Sequence, residues 1–479
     1  MSHFESARPA CLRGPLTLAL LIASACSGQS ASGDLASTGD GAVAFTNVNV
    51  LPMDTERVVR GQTVVVRDGV IVQVGPLDAV EVPSGARRID GADRYLLPGL
   101  ADLHIHLRSI DELASYLAHG VTTVLHMSGA MGGAPDLLRY RDEIARGTRP
   151  GPALYTTGPI LDGSPPVFAG VSIVVTTPAE ARRTVAAQHE AGYDFIKVYN
   201  NLTPELLGAA VEAAHERGMA VLGHIPRKAG REQALQQALG AGLDVIAHGE
   251  EYFFTYFYAG VDSLLDRGEV PYPMEARIPG AVEMTREAGA AVIPNLSFPA
   301  MTRRQLDDLD GVQADAEARY LHPDVRAMWE AQNPTGRPDL ERFDRREQAK
   351  YAFLRRLTKS LNDAGVPLLL GTDASAPGMY PGASAHLELR ELVAAGLTPY
   401  EALLTGTRNA GAFIERSARG AEPFGTVAPG QRADLLLVRG NPLHDIAAVS
   451  DIDGVMVRGR WLTRDEIERM RRRGVEAPS

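Results

Sequence analysis

The sequence predicts an α/β fold: a closed (β/α)8 barrel of the TIM type, with a small β-sandwich domain built from the two ends of the chain. Three observations lead there. From about Leu96 to Phe413, short and almost continuously apolar strands alternate with amphipathic helices, as parallel strands covered on both faces require. Eight such strand–helix units follow one another. The stretches before and after this middle are β-rich and lack helical periodicity.

The N-terminal residues have the pattern of an export signal. Arg8 and Arg13 precede the apolar run "PLTLALLIASA", and small residues lead to Cys26. The run is too short to cross a bilayer comfortably. "ASAC" at 23–26 fits a lipoprotein box that would lipidate Cys26, although Ala23 stands where leucine is usual. The expectation is a lipoprotein-like signal over 1–26, with the mature protein periplasmic or anchored to the outer membrane. The only other cysteine is Cys11, so the processed chain cannot rest on an internal disulfide. Residues 27–41, rich in Gly and Ser, read as a flexible linker.

Next come "AFTNVNVL" and "QTVVVRDGVIVQVG", two strand stretches with "RDG" as a turn. "ADLLLVRG" and "DGVMVRGRWL" repeat this character near the C-terminus. Isolated hairpins are marginal, so 42–97 and 415–465 are expected to pair into one composite β-sandwich domain. The barrel then occupies 98–414, and 466–479 forms a C-terminal helix and tail. The strands are "LADLHIH", "VTTVLHM", "PALYTTG", "FIKVY", "AVLGHIP", "VIAHGE", "AVIPNL" and "PLLLGTD". Thr177-Pro178 with Glu180, and Thr398-Pro399 with Glu401, read as helix N-caps with capping boxes. Thr203-Pro204 has the cap without the box, and several helices end at Gly. Insertions fall around 251–277 and 298–344. A doubly wound open sheet is the alternative, but no Gly-rich nucleotide turn follows the first strand.

Charge excludes some partners. The chain of 479 residues carries a formal net charge of -11 with no basic block, which argues against nucleic acid. "RMRRRG" reads as the exposed end of a terminal helix, where cations oppose the dipole.

In such a barrel the chemistry gathers at the C-terminal ends of the strands. The first strand ends in His104-Ile105-His106, and alternation puts both imidazoles on one side. Lys197 lies on the fourth strand, His224 ends the fifth, His248 the sixth, and Asp373 follows the eighth. Taken singly, each has a plainer explanation. A histidine at a strand end is commonly a hydrogen-bonded structural residue. An Asp after "GT" is often an N-cap, and a strand lysine can snorkel to solvent. The joint pattern on different strand ends is far more specific, and its imidazoles and carboxylate suit zinc or another divalent metal. His126 ends the second strand as a candidate supporting residue, and His386 opens the helix after the eighth.

"PGLADLHIHL", "FIKVY", "LGHIP", "IAHGEE", "GTDAS" and "FGTVAPGQRADLLLV" together resemble the amidohydrolase superfamily, over about 43–463. Within it the chain is similar to the two-metal group with a carboxylated lysine, the Xaa-Pro dipeptidase-like and imidazolonepropionase-like amidases. The resemblance implies a two-metal centre, zinc being the usual ion. His104 and His106 would bind the buried metal with Asp373, His224 and His248 the outer one, and Lys197, carboxylated by CO2, would bridge both. Asp373 would also be the catalytic proton carrier. Carboxylation needs a neutral amine, which apolar burial favours. The resulting anion has two oxygens able to span metals about 3.5–4 Å apart.

The implied activity is hydrolysis of a peptide-like or N-acyl amino acid bond in a small substrate. Tyr199, Arg227 and Tyr252 are candidate substrate contacts, as is His386; Arg227 and Lys228 could meet a free carboxylate. Some dipeptidase relatives carry a tyrosine after the strand-five histidine. "GHIPRK" has none, which counts against simple dipeptidase activity and leaves a broader amidase or carboxypeptidase-like activity open. A mononuclear deaminase or cyclic-amide hydrolase on the same barrel is the alternative, and a non-catalytic secreted binding protein a third. Relatives commonly assemble, so a homo-oligomer is an expectation too.

Overall fold

The computed structural model describes residues 41–127, 134–228, 230–257 and 274–476. The expected signal, the lipidation site at Cys26 and nearly all of the linker lie outside the described residues, as does much of the first insertion.

The strands in chain order are β1 (Val43–Val50), β2 (Val59–Arg67), β3 (Val70–Pro76), β4 (Arg87–Asp90), β5 (Tyr95–Pro98), β6 (Leu100–Ile105), β7 (Val121–His126), β8 (Ala153–Thr156), β9 (Ile160–Asp162), β10 (Ser172–Val174), β11 (Ile196–Val198), β12 (Val221–Gly223), β13 (Val245–Ala247), β14 (Ala291–Ile293), β15 (Leu435–Val438), β16 (Ile452–Val457) and β17 (Arg460–Thr463).

β1–β5 and β15–β17 make one continuous mixed sheet, where a sandwich was expected. Its two halves meet where Tyr95–Pro98 pairs antiparallel with Leu435–Val438. The continuity comes from β1. Its first half pairs parallel with β4, and beyond irregularities at Phe45–Val50 it pairs with β5 while keeping β2 on its other side. The "RDG" turn forms as read: Asp68 and Gly69 both have positive φ, the geometry of a tight hairpin. Phe45 and Trp461 meet edge-on at 5.2 Å in the apolar layer beneath this sheet.

The middle of the chain is parallel. β6, β7 and β8 form one sheet, and β10-β9-β11-β12-β13-β14 a second. Isolated parallel bridges link Thr157 to Phe195, Val292 to Leu368 and Ile105 to Ala374. Strands β6 and β7 are buried at every position, so their polar members, Asp102 and His104 on β6 and Thr122, Thr123 and His126 on β7, are buried as well. "PLLLGTD" is bridged but forms no regular strand. Gly371 passes so close to His104 that a Cβ would lie 2.8 Å from the histidine's own Cβ, so a side chain there would crowd the site. Asp373 then has a φ of 61°. The third unit holds two short strands that the sequence did not reveal, β9 and β10, which extend the six-stranded sheet.

The helix starts follow the expected chemistry. Thr177 and Thr398 form full capping boxes, and Thr203 caps Leu206 alone. The second insertion folds into helices with their own small core around Met301, Val325 and Trp329. Trp329 Nε1 donates to the Ser375 carbonyl at 3.3 Å, which seats this insertion beside the segment that follows Asp373. The C-terminal helix corrects one expectation. Arg471 of "RMRRRG" is only 8% exposed, paired with Glu317 and stacked on Tyr320 at 3.6 Å. No described helix is long and apolar enough to cross a membrane.

Candidate active site

The end of β6 brings His104 and His106 together, with their Nε2 atoms 3.2 Å apart. Asp373 Oδ1 lies 2.9 Å from His106 Nε2 and 3.4 Å from His104 Nε2. All three ligand atoms fall within 4.8 Å of one another. The arrangement is held from behind by Asp102, which is fully buried. Its carboxylate accepts from the backbone N–H groups of His104 and Thr372 and from the Thr372 hydroxyl. That clamps the first strand to the eighth segment, directly below both sets of site atoms.

His248 stands next, its ring 4.5 Å from that of His104, and His224 follows 4.9 Å from His248. Both are fixed through Nδ1. His248 Nδ1 is 2.7 Å from Asn295 Oδ1, and His224 Nδ1 is 2.9 Å from Asn200 Oδ1 and 3.1 Å from Glu251 Oε1. With Nδ1–H donated to an oxygen, the Nε2 lone pair is left to face the cluster.

Electrostatics favour neutral imidazole. Burial, reinforced by the Lys197 charge, pushes His104 well below the ordinary histidine range. Burial likewise lowers His224 to about 4, against the pull of Glu251. At neutral pH the His224–Glu251 contact is therefore a hydrogen bond and not an ion pair. Glu251 is 2% exposed; burial would raise its carboxyl, but the contacts with His224 and Arg227 hold it at about 2. Since His224 is neutral there, the lasting counter-charge is Arg227, whose Nη2 donates to Glu251 Oε1 at 2.7 Å. Asp373 is also held at about 2, the hydrogen bond from His106 and neighbouring positive groups outweighing burial.

Lys197 is the largest anomaly in the cluster. It is 1% exposed, and its Nζ has Met127 Sδ at 3.4 Å. Burial lowers it from 10.5 to about 8, with Asp373 and Glu251 opposing the shift. The snorkelling alternative does not apply to a side chain this deep.

The donor chemistry suits a divalent metal. Two imidazole Nε2 atoms and an ionised carboxylate oxygen converge on one point, a donor set that suits a divalent ion. Of the substrate candidates, Tyr199 joins the cluster, its ring 3.9 Å from that of His224. Arg227 sits behind Glu251, over the ring of Phe254, and its Nε is a buried donor without a hydrogen-bond partner. Tyr252 and His386 are placed elsewhere. Tyr252 is buried with its hydroxyl on Thr285, and His386 Nε2 lies 2.8 Å from the His119 carbonyl. His126 accepts from the Leu107 N–H, bracing the loop after His106.

Sequence reasoning passed over Asp102, Glu251 and Asn295. Asn295 was within reach of the rule that found the histidines, because it closes "AVIPN" at a strand end. Glu251 lies on a five-residue helix, Glu250–Phe254, whose direction no local pattern reveals.

Comparison with known proteins identifies the family. The model of the Amidohydrolase family matches residues 95–462. The ochratoxinase of Aspergillus niger is 23% identical over 473 residues, covering 86% of this chain and 84% of that protein. The chain spans only 13% and 44% of the two adenine deaminases it matches, from Paracoccus denitrificans and a Bradyrhizobium species. Among solved structures, a bottromycin amidohydrolase superposes with a TM-score of 0.69 at 24% identity, over 91% of this chain and 90% of that one. A Xaa-Pro dipeptidase with bound methionine gives 0.64 at 19%, over 88% and 100%. These likenesses give the chain a TIM-barrel-like α/β fold. The chain belongs to the amidohydrolase family, a superfamily of metal-dependent hydrolytic enzymes.

Proposed function

We propose that this protein hydrolyses an amide bond in a small peptide-like or N-acyl amino acid substrate, using a two-metal centre bridged by carboxylated Lys197. The observation that carries this is the lysine itself, buried among metal-ligand side chains with its amine lowered to about 8. The three isolated bridges support closure of the two parallel sheets into an eight-stranded barrel, with these residues at one mouth.

His104, His106 and Asp373 would hold one ion, and His224 and His248 the other, with zinc the expected metal. Bound divalent ions supply Lewis acidity and lower the pKa of water towards neutrality. The protein's own groups do the rest. The neutral Lys197 amine would attack the carbon of CO2, forming the N–C bond and passing one N–H proton to water, and so become an anionic carbamate. Asp373, ionised at neutral pH, takes a proton from the attacking water and delivers it to the leaving amine. Asn200, Asn295 and Glu251 keep the outer histidines in one tautomer. The Arg227 guanidinium, partly exposed although paired with Glu251 through Nη2, is the group we assign to a substrate carboxylate, which favours substrates with a free acid.

Metal analysis of the purified protein together with a hydrolysis screen on dipeptides, N-acyl amino acids and lactams tests the proposal. Two equivalents of metal and amide cleavage are expected, and both should collapse in Lys197→Ala. One metal with ammonia released from aminated rings would replace it with the deaminase reading. Export and lipidation at Cys26 are a separate proposal, checked by labelling with a fatty acid and by fractionation.

A further inference from the structure

Phe168 is one of the most exposed large apolar side chains in the described structure, at 50%, and its neighbour Val167 is 44% exposed. Apolar groups exposed together on a mobile loop would be unremarkable. This loop is clamped. Asp162, fully buried at the end of β9, accepts from the N–H groups of Gly163 and Asn201 through Oδ1 and from Val167 through Oδ2. Asn201 donates to the Pro165 carbonyl, and Lys228 to that of Ser164. Gly163 passes so near the Asn201 carbonyl that a Cβ would sit 1.8 Å from its oxygen. The loop is thus fastened to the very segments that follow Lys197 and His224.

That fastening sets Phe168 against the site. Its ring lies 5.5 Å from Tyr199, and Tyr199 lies 3.9 Å from His224. Rings therefore run without a break from solvent, through Phe168 and Tyr199, to the histidine cluster.

We propose that Phe168, with Val167, forms a fixed apolar lip that selects amides carrying an aromatic or large aliphatic group beside the scissile bond. This rests on the amide-hydrolase reading and names the substrate class it implies. A ring laid on Phe168 gains a face already held in place, so little ordering cost opposes binding.

The test uses metal-loaded protein and N-acetylglycine, N-acetylphenylalanine and N-benzoylglycine, which place an aromatic group on neither side, on the amine side or on the acyl side. Wild type is expected to favour one aromatic substrate. Phe168→Ala should lower kcat/KM for it about tenfold, mainly through KM, and leave N-acetylglycine within twofold. Phe168→Tyr should restore the preference. An equal loss on all three substrates, or no loss, overturns the lip. Calorimetric binding of the same compounds separates the two ideas. If wild type cleaves none of them, the hydrolase reading fails, while the lip survives only if aromatic binding weakens in Phe168→Ala. The side chain is exposed, so the variant's melting temperature should match wild type.

Discussion

Replacing Lys197 with methionine should make the metal-free protein more stable and the metal-loaded protein inactive. Lys197 is 1% exposed and its amine is lowered from 10.5 to about 8. That difference corresponds to about 3 kcal/mol of strain on the ammonium form. The sign follows from proton counting. Between pH 8 and 10.5 the unfolded chain holds a proton on this lysine that the folded chain has released, so stability rises with pH across that window. Below pH 8 both states are protonated and the penalty is felt in full. Methionine has nearly the same length and no charge, so it should recover up to about 3 kcal/mol at pH 7 and nothing at pH 10.5. The same shift leaves about a tenth of the folded amine neutral at pH 7, against roughly one in three thousand for a free lysine. The proposed carboxylation would draw on that neutral fraction. Denaturant melts of chelated wild type and Lys197→Met at pH 7 and pH 10, with metal content and turnover of the reloaded proteins, test both halves. A variant that is less stable without metal, or one that binds two metals and turns over normally, would refute the reasoning.

Glu251→Gln should lower metal affinity about 10- to 100-fold at the His224–His248 position, because it weakens the carboxylate behind His224. Titration of chelated protein with zinc would read this, and unchanged affinity would remove Glu251 from that role. Tyr252→Phe should cost about 1 kcal/mol through the lost Thr285 contact and leave kcat and KM alone. A raised KM would return Tyr252 to the substrate site. Asp102 is raised by burial from 3.8 to about 7, so between those values the folded state holds more protons than the unfolded one. Stability of the metal-free protein should therefore fall as pH rises from about 4 to 7, and Asp102→Asn should flatten that slope in denaturant melts.

The parts of the site legible in the sequence were those tied to strand ends. Strand alternation and the order of βα units place His104, His106, Lys197, His224 and His248 before any coordinates exist, because each sits a fixed step from an apolar run. Asn295 obeys the same rule but is a common residue with no chemistry of its own, so it drew no attention. The rest depends on tertiary direction. β9 and β10 are three residues each, too short for any periodicity. Tyr252 sits in an aromatic run that looks like a pocket wall, yet its short helix turns that ring into the core and Glu251 towards His224. Arg471 read as a solvated terminal cation until the second insertion supplied Glu317 and Tyr320. In each case the partner lies far along the chain.

Charge accounting ties these residues to one chemistry. His104 and His224 are neutral, and Glu251 is balanced by Arg227, so neither pair contributes net charge. Facing the cluster there remain the Asp373 carboxylate and whatever Lys197 carries, with Asp102, which titrates near 7, behind them. An ammonium there would cancel Asp373 and leave two divalent ions wholly uncompensated in a buried space, where such an imbalance is costly. The proposed carbamate would reverse the sign, and the cluster would then offer two anionic groups to the two proposed ions. The same burial that makes Lys197 a poor cation makes it a good amine for CO2, so destabilisation of the empty site and charge-matching of the loaded one have a single physical cause. This is why the stability of Lys197→Met and its metal content should move in opposite directions.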